Sequence, residues 1–290
     1  MLKGLILVAR PGHWVKNLVI FAALIFARVY GDPFKVWTTI LAFAAFCLGT
    51  SAIYIINDII DRENDKNHPV KCKRPIASGI VSIPAATAES AILLFGGLGL
   101  ALWINIETFI VLGLYIIINY AYSIYIKHLV ILDVMSIAAG FVLRAIAGGV
   151  AITVPVSPWL LVCTSLLALF LGFSKRRHEL SLLTNEATGH RKSLEHYSIP
   201  FLDQMTSVVT SSTVVAYSFY TLSPDTIQHL GTKWLFLTIP FVLYGIFRYL
   251  YLIFKREEGG NPTKLLLTDP PLLICVILWF VTVMLIFKFS

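Results

Sequence analysis

Charge is scarce in this chain. Of its 290 residues only 13% are Asp, Glu, Lys or Arg, against 57% hydrophobic residues and a mean hydropathy of +0.80. This excludes an ordinary soluble domain, which could not hide so much apolar surface, and a disordered chain, which carries far more charge. Cysteine is also sparse. Cys47, Cys163 and Cys275 fall in apolar runs and Cys72 in a polar stretch, so free thiols are expected rather than a disulfide framework or a thiolate metal site. No Gly-x-x-x-x-Gly-Lys-[Ser/Thr] loop, no Gly-x-Gly-x-x-Gly after a strand and no His-Glu-x-x-His occur, which removes P-loop, dinucleotide-binding and zincin chemistry. Arg10-Pro11 interrupts the first apolar run without a small-residue cleavage site, so no cleavable signal peptide is expected.

What is present is apolar sequence in membrane-length stretches. Runs of about 20 residues suffice to cross a bilayer as helices, and nine are expected: 17–34, 38–57, 84–104, 108–126, 131–152, 157–173, 206–222, 233–254 and 270–288. The fold class is therefore all-α, a polytopic membrane bundle of about nine helices forming one domain over residues 1–290. Gly96-Gly97 and Gly148-Gly149 are expected where helices pack closely. With the N-terminus in the cytoplasm, most of the 23 basic residues fall on the cytoplasmic side, as the positive-inside rule requires. The net charge of +7 then gathers on one membrane face, where a polyanionic substrate or anionic lipid would be drawn.

The densest polar signal is Asn57-Asp58-Ile59-Ile60-Asp61-Arg62-Glu63-Asn64-Asp65. A continuous helix would carry Asp58, Asp61 and Asp65 on one narrow face. Stacked like charges are unfavourable without a cation, and three oxygen-rich groups suit Mg²⁺, which prefers carboxylates together with substrate phosphates. The plain alternative is a solvated helix end. The loop that follows holds Lys71, Lys73 and Arg74, placed to take phosphate charge. Upstream, Arg10-Pro11-Gly12-His13-Trp14-Val15-Lys16-Asn17 sets Lys16 and Asn17 one turn into a helix, within reach of a phosphate or a metal-bound oxygen. Tyr122 and Lys127 close the fourth run and could bind an anionic substrate. In the fifth, Asp133, Gly140 and Arg144 share a stripe. An arginine that deep is expected to face a polar cavity or pair with a substrate phosphate or with Asp133. Lys175, Arg176 and Arg177 beside Glu179 form a candidate phosphate clamp after the sixth run. Asp203 and Asp269 precede the seventh and ninth runs.

Asn-Asp-x-x-Asp-x-x-x-Asp at the end of the second span resembles the UbiA superfamily of intramembrane prenyltransferases. Arg10-Pro11-x-x-Trp14-x-Lys16-Asn17, His68-Pro69-x-Lys71-x-x-Arg74-Pro75-Ile76-Ala77-Ser78-Gly79, Leu132-Asp133-Val134 and Gly140-Phe141-Val142-Leu143-Arg144-Ala145 narrow the likeness to a branch that acts on polyprenyl phosphates such as decaprenyl phosphate. Two features depart from the wider pattern. The second Asp-x-x-x-Asp motif of the aromatic prenyltransferases is replaced by Ser174-Lys175-Arg176-Arg177-His178-Glu179, and His13 stands where glutamine is expected.

The resemblance implies Mg²⁺-dependent transfer of 5-phosphoribose from 5-phosphoribosyl 1-diphosphate to a polyprenyl phosphate, with pyrophosphate released, for cell-wall arabinan precursors. It implies Asp58, Asp61, Lys16 and Asp133 as catalytic and Asp58, Asp61, Asp65 and Asn57 around Mg²⁺. Lys16, Asn17, Lys71, Lys73, Arg74, Tyr122, Lys127, Arg144, Lys175 and Arg176 would bind the donor, and Arg177, Glu179 and Asp269 the lipid phosphate. The setting is the plasma membrane with a cytoplasmic site. A homo-oligomer is compatible with the sequence and no nucleic-acid partner is expected. Two other readings stand beside this one, an aromatic or quinone-precursor prenyltransferase using a polyprenyl diphosphate, and an anion transporter with Arg144 and Asp133 on its pathway.

Overall fold

The computed structural model describes residues 2–67, 70–183, 194, 196–256, 260 and 262–290, so His68 and Pro69 of the basic loop lie outside the described residues. Among those described, every regular element is a helix. α1 (Leu2–Val8) precedes a 3-10 helix, Pro11–Ile20, that runs into α2 (Phe21–Phe26). Then come α3 (Pro33–Ile60), the short α4 (Arg62–Lys66), α5 (Ile83–Ile104), α6 (Ile106–Ile124) and α7 (Leu132–Ala151). α8 (Pro158–Leu183), α9 (Ile199–Leu222), α10 (Pro224–Leu230), α11 (Ile239–Arg256), α12 (Pro262–Thr268) and α13 (Pro270–Phe289) complete the order. The chain divides into two compact units, the first within Met1–Val156 and the second within Ser157–Glu186 and Leu194–Ser290; Ala187–Ser193, grouped with the first, lies outside the described residues.

Helix starts follow from local chemistry. Asp32 accepts from the Phe34 amide at 2.9 Å ahead of Pro33, Asn105 from the Thr108 amide at 2.7 Å, and Asp269 from the Leu272 amide at 3.0 Å ahead of Pro270. Each side chain satisfies an orphan amide of the first turn, and proline there sacrifices no hydrogen bond.

Among the described residues, seven helices are long and apolar enough to cross a membrane: Pro33–Ile60, Ile83–Ile104, Ile106–Ile124, Leu132–Ala151, Pro158–Ser181, Trp234–Arg256 and Pro270–Phe289. The other two expected spans are present in altered form. The first is split between the 3-10 helix and α2, a shorter apolar stretch over Pro11–Phe26. The seventh is α9, whose many Ser and Thr residues lower its mean hydropathy. Their hydroxyls donate inward to the helix's own carbonyls, Thr210 to Thr206 at 2.8 Å and Thr213 to Val209 at 2.7 Å, so the polarity is internally satisfied. Large apolar side chains stay exposed along α5, α6 and α13, among them Phe95, Trp103, Ile117 and Ile277, a surface suited to lipid rather than water. This is a multi-pass membrane protein.

In the first unit α3 is the central helix, packed on α5, α6, α7 and the 3-10 helix around Ala42, Ala45, Phe46, Leu112 and Tyr115. Lipid is as apolar as these side chains, so close van der Waals fit holds the helices together. Gly97 shows how close: a Cβ there would lie 2.9 Å from the Ala45 carbonyl oxygen. At Gly148 it would lie 2.0 Å from the Ile20 carbonyl oxygen, which fixes the end of the 3-10 helix against α7.

Candidate active site

The acidic motif sits where α3 ends. Asp61 leaves helical geometry, with φ −85° and ψ 2° instead of a ψ near −42°. The unbroken helix expected to align Asp58, Asp61 and Asp65 is therefore not formed, and α4 restarts at Arg62. The turn sorts the three acids into two and one. Asp58 and Asp65, both buried, converge on Arg74, whose Nη1 donates to Asp58 Oδ1 at 3.0 Å and to Asp65 Oδ2 at 2.6 Å. Arg10 Nη2 donates to the same Asp58 oxygen. Asp61 turns instead to Lys127, a buried cation whose Nζ donates to Asp61 Oδ1 at 2.7 Å. Among the described residues no three His, Cys, Asp or Glu side chains gather into a metal-binding group, and the three acids stand here as a pair and a single one. The pair still fits a hard divalent cation. Two buried carboxylate oxygens meet at one point, now held by a guanidinium nitrogen, and Mg²⁺ bound by one or two carboxylates completes its shell with water and substrate phosphate. Asn57, half-buried, lends its backbone carbonyl to the Asp61 amide at 2.9 Å.

Arg10 adopts a left-handed conformation, φ 52° and ψ 59°, directly before Pro11. That region is disfavoured for an L-residue preceding proline and costs about 1–3 kcal/mol. The bond to Asp58 and the Tyr54 ring, 5.0 Å from the guanidinium carbon, hold it there. Trp14 donates to the Ser51 hydroxyl at 3.0 Å, and Ser51 donates to the Ala9 carbonyl at 2.7 Å, tying the 3-10 helix to α3. Lys71 is half-buried and Lys73 exposed in the 3-10 turn Lys71–Lys73, while Tyr122 lies half-buried near the end of α6.

A second polar group lies deeper in the same unit. Arg144, only 4% exposed, donates from Nε to Asn17 Oδ1 at 2.7 Å, from Nη1 to the Gly140 carbonyl at 2.8 Å and from Nη2 to the Tyr115 hydroxyl at 2.8 Å. None of these partners is Asp133, so the ion pair considered between them is not formed. Asp133 is fully buried at the first turn of α7, and its Oδ1 accepts from the Val134 amide at 2.8 Å. Asn17 also donates to Cys47 Sγ at 3.3 Å, and Lys16 lies within electrostatic reach of Arg144, Tyr115, Arg10 and Tyr122.

Four cations of the second unit are matched by acids. Lys175 Nζ is 3.8 Å from Glu179, the buried Arg176 also donates to Glu179, and Arg177 donates to Asp203 with its guanidinium 4.5 Å from the Phe254 ring. Asp269 caps α13 and takes two bonds from Arg248, at 3.1 and 2.8 Å. The Arg248 hydrogen bonds hold the Asp269 carboxyl below its usual range, the Leu272 amide adds to this, and burial opposes it. Arg10, Tyr54 and Tyr115 are absent from the site expected from sequence. Arg10 reads as a charge before a helix start, and Tyr115 as one aromatic in an apolar run with only Asn119 nearby to mark a polar face.

A family model described as the UbiA prenyltransferase family matches residues 18–268. The chain belongs to this family. Relatives named decaprenyl-phosphate phosphoribosyltransferase run nearly its full length. The protein of Mycolicibacterium smegmatis is 35% identical over 98% of this chain and 92% of its own, and that of Mycobacterium tuberculosis 31% identical over 98% and 94%. The solved structure of a UbiA homologue from Archaeoglobus fulgidus bound to GPP and Mg²⁺ superposes with a TM-score of 0.74 at 18% identity, covering 98% of this chain and 99% of that one. An apo UbiA homologue from Aeropyrum pernix K1 gives 0.65 at 16% identity over 95% and 99%. The UbiA fold is thus shared, and the acid pair of this member lies where α3 gives way to α4.

Proposed function

We propose that this protein is a polyprenyl-phosphate phosphoribosyltransferase, acting as a single UbiA-like domain with its site on the cytoplasmic face of the plasma membrane. It transfers 5-phosphoribose from 5-phosphoribosyl 1-diphosphate to a polyprenyl phosphate and releases pyrophosphate, a step toward cell-wall arabinan precursors. The observation that carries this reading is the convergence of Asp58 and Asp65 on one positive nitrogen, with Arg10 and Arg74 against the acids and Lys127 on Asp61. The near full-length likeness to proteins named decaprenyl-phosphate phosphoribosyltransferase supports the choice of substrates.

Asp58 and Asp65 would hold Mg²⁺, with Asn57 beside them. When bound, the metal supplies positive charge to a leaving diphosphate. Arg74 and Arg10 release their carboxylates and turn onto the donor's phosphates, with Lys71 and Lys73 at the rim. The ribose C1–O bond breaks with its electron pair leaving on pyrophosphate, and a lipid phosphate oxygen forms the new bond to C1. That oxygen is already ionised, so no general base is required. Lys127 orients Asp61 through its 2.7 Å bond to Oδ1. Fixed cations aimed at the departing charge are the main source of rate, as in other electrostatically preorganised sites.

The test is direct. Purified protein is incubated with Mg²⁺, labelled 5-phosphoribosyl 1-diphosphate and a polyprenyl phosphate, and in parallel with a prenyl diphosphate and an aromatic acid such as 4-hydroxybenzoate. Label in the lipid fraction with pyrophosphate release is the expected result. Turnover in the second mixture alone would replace this reading with the aromatic prenyltransferase.

A further inference from the structure

Among the described residues, several cations that reach into the helix packing are met by acids. Asp58 and Asp65 compensate Arg10 and Arg74, Asp61 compensates Lys127, and Glu179 compensates Arg176. Arg144 is as deeply buried, yet its three hydrogen bonds all end on neutral oxygens, those of Asn17, Gly140 and Tyr115. Lys16, the neighbour of Asn17 and within electrostatic reach of Arg144, makes no ion pair among the described residues. A buried arginine met by neutral oxygens and by the Tyr115 and Phe141 rings, with a lysine within electrostatic reach, is a costly arrangement inside a membrane helix bundle that an anion would relieve.

We infer that Lys16 and Arg144 form a second phosphate subsite, separate from the acid pair, that takes a phosphate monoester. In the reading above, on which this rests for the ligand's source, the monoester is the 5-phosphate of the donor. A guanidinium carries five N–H donors, of which Arg144 uses three. One N–H on each terminal nitrogen is left for the fork that suits a phosphate, and Lys16 adds a point charge. Asn17 and Tyr115 are positioning residues that aim the guanidinium. Gly140 keeps the room, since a Cβ there would lie 3.4 Å from Arg144 Nη1 and 3.5 Å from the Tyr115 ring.

The 3-10 helix sets the span. At about 2.0 Å per residue, Lys16 stands roughly 12 Å along the axis from Arg10, which touches Asp58. One helix thus offers positive charge to the acid pair at one end and to the deep subsite at the other, matching a donor with anionic groups at both ends. A prenyl diphosphate is charged at one end only and would lay hydrocarbon on two uncompensated cations. The subsite therefore selects the phosphoribosyl donor over a prenyl one, and it moves the 5-phosphate away from Lys175 and Arg176, which are already paired with Glu179.

Binding of 5-phosphoribosyl 1-diphosphate and of ribosyl 1-diphosphate, which lacks the 5-phosphate, is measured by calorimetry on the intact detergent-solubilised chain. Lys16→Ala and Arg144→Lys should each weaken the first ligand by ~10- to 100-fold, the scale of one charged hydrogen bond. Neither should alter the second ligand. Tyr115→Phe, which keeps the charge and the packing, should weaken only the first ligand and by less. The lipid phosphate is the other source of the same chemistry. A rise in KM for polyprenyl phosphate in Lys16→Ala, with donor binding unchanged, would keep the subsite and give it to the acceptor. Equal weakening of both diphosphates, or no change for either donor or acceptor, would overturn the subsite. Should wild type bind neither diphosphate, the phosphoribosyl reading fails and the acceptor measurement alone decides the subsite.

Discussion

Removing Arg74 tests whether a side chain of this protein stands where a divalent cation belongs. Arg74 Nη1 lies 3.0 Å from Asp58 Oδ1 and 2.6 Å from Asp65 Oδ2, so those oxygens are no farther apart than the sum of the two lengths, about 5.6 Å. Two unit charges at that separation repel by about 3 kcal/mol at an effective dielectric constant near 20. In Arg74→Ala that repulsion is relieved only by Arg10 on the Asp58 side, and a metal no longer has to displace a resident guanidinium. Three kcal/mol is on the order of 10²-fold in affinity. Because Arg10 remains and Arg74 is partly exposed, the expected gain is smaller, ~10-fold or somewhat more, and shrinks as salt is raised. The assay is Mn²⁺ binding to the purified, donor-free protein, followed by electron paramagnetic resonance of the free ion. Turnover should fall in the same variant, because the cation proposed to receive the diphosphate is lost. Tighter metal binding with weaker catalysis is the signature of an exchanged counter-ion. Unchanged or weaker Mn²⁺ binding in Arg74→Ala would refute it.

Asp58→Asn keeps the shape but removes the charge shared by Arg10 and Arg74; turnover should drop ~10²-fold or more while gel filtration remains unchanged. Near wild-type activity at saturating Mg²⁺ would remove Asp58 from the site. Gly148→Ala places a Cβ 2.0 Å from the Ile20 carbonyl and should destabilise by about 1–3 kcal/mol, whereas Gly99→Ala, with nothing within 4 Å, should be neutral or stabilising. Equal melting temperatures for the two variants would contradict the close approach. Asp269 is held below its usual range by Arg248, so its stabilising effect is present above the ordinary carboxyl value of about 3.9 and is lost as pH falls through the depressed one. The melting-temperature gap between wild type and Asp269→Asn should therefore be wide near pH 6 and close in acid; a gap that persists at the lowest pH would sink the assignment.

The membrane class, the helix starts and the place of the acids were all legible in the chain itself. Apolar runs of bilayer length have few other uses, Asp32-Pro33 and Asp269-Pro270 announce helix starts through bonds to their own next residues, and charges are too costly in such a sequence to stand in clusters without purpose. Local chemistry of this kind acts over a few residues, so sequence alone determines it. The count of spans was less legible, because α9 hides its hydroxyls in its own backbone and the first span is half 3-10 helix.

Only the tertiary structure decided the partners. Arg10 meets Asp58 across 48 residues, Lys127 meets Asp61 across 66, and Arg144 meets Asn17 across 127. Spacing on one helix could propose three aligned carboxylates, but a single ψ near zero at Asp61 regrouped them. Likewise the stripe through Asp133 and Arg144 was real as a periodicity, yet Arg144 bonded to Asn17 and Tyr115 because α6 and the 3-10 helix are brought against α7. Periodicity specifies which face of a helix a charge occupies. Which charge meets it is decided by how closely the backbones pack, and here that rests on residues as small as Gly97 and Gly148.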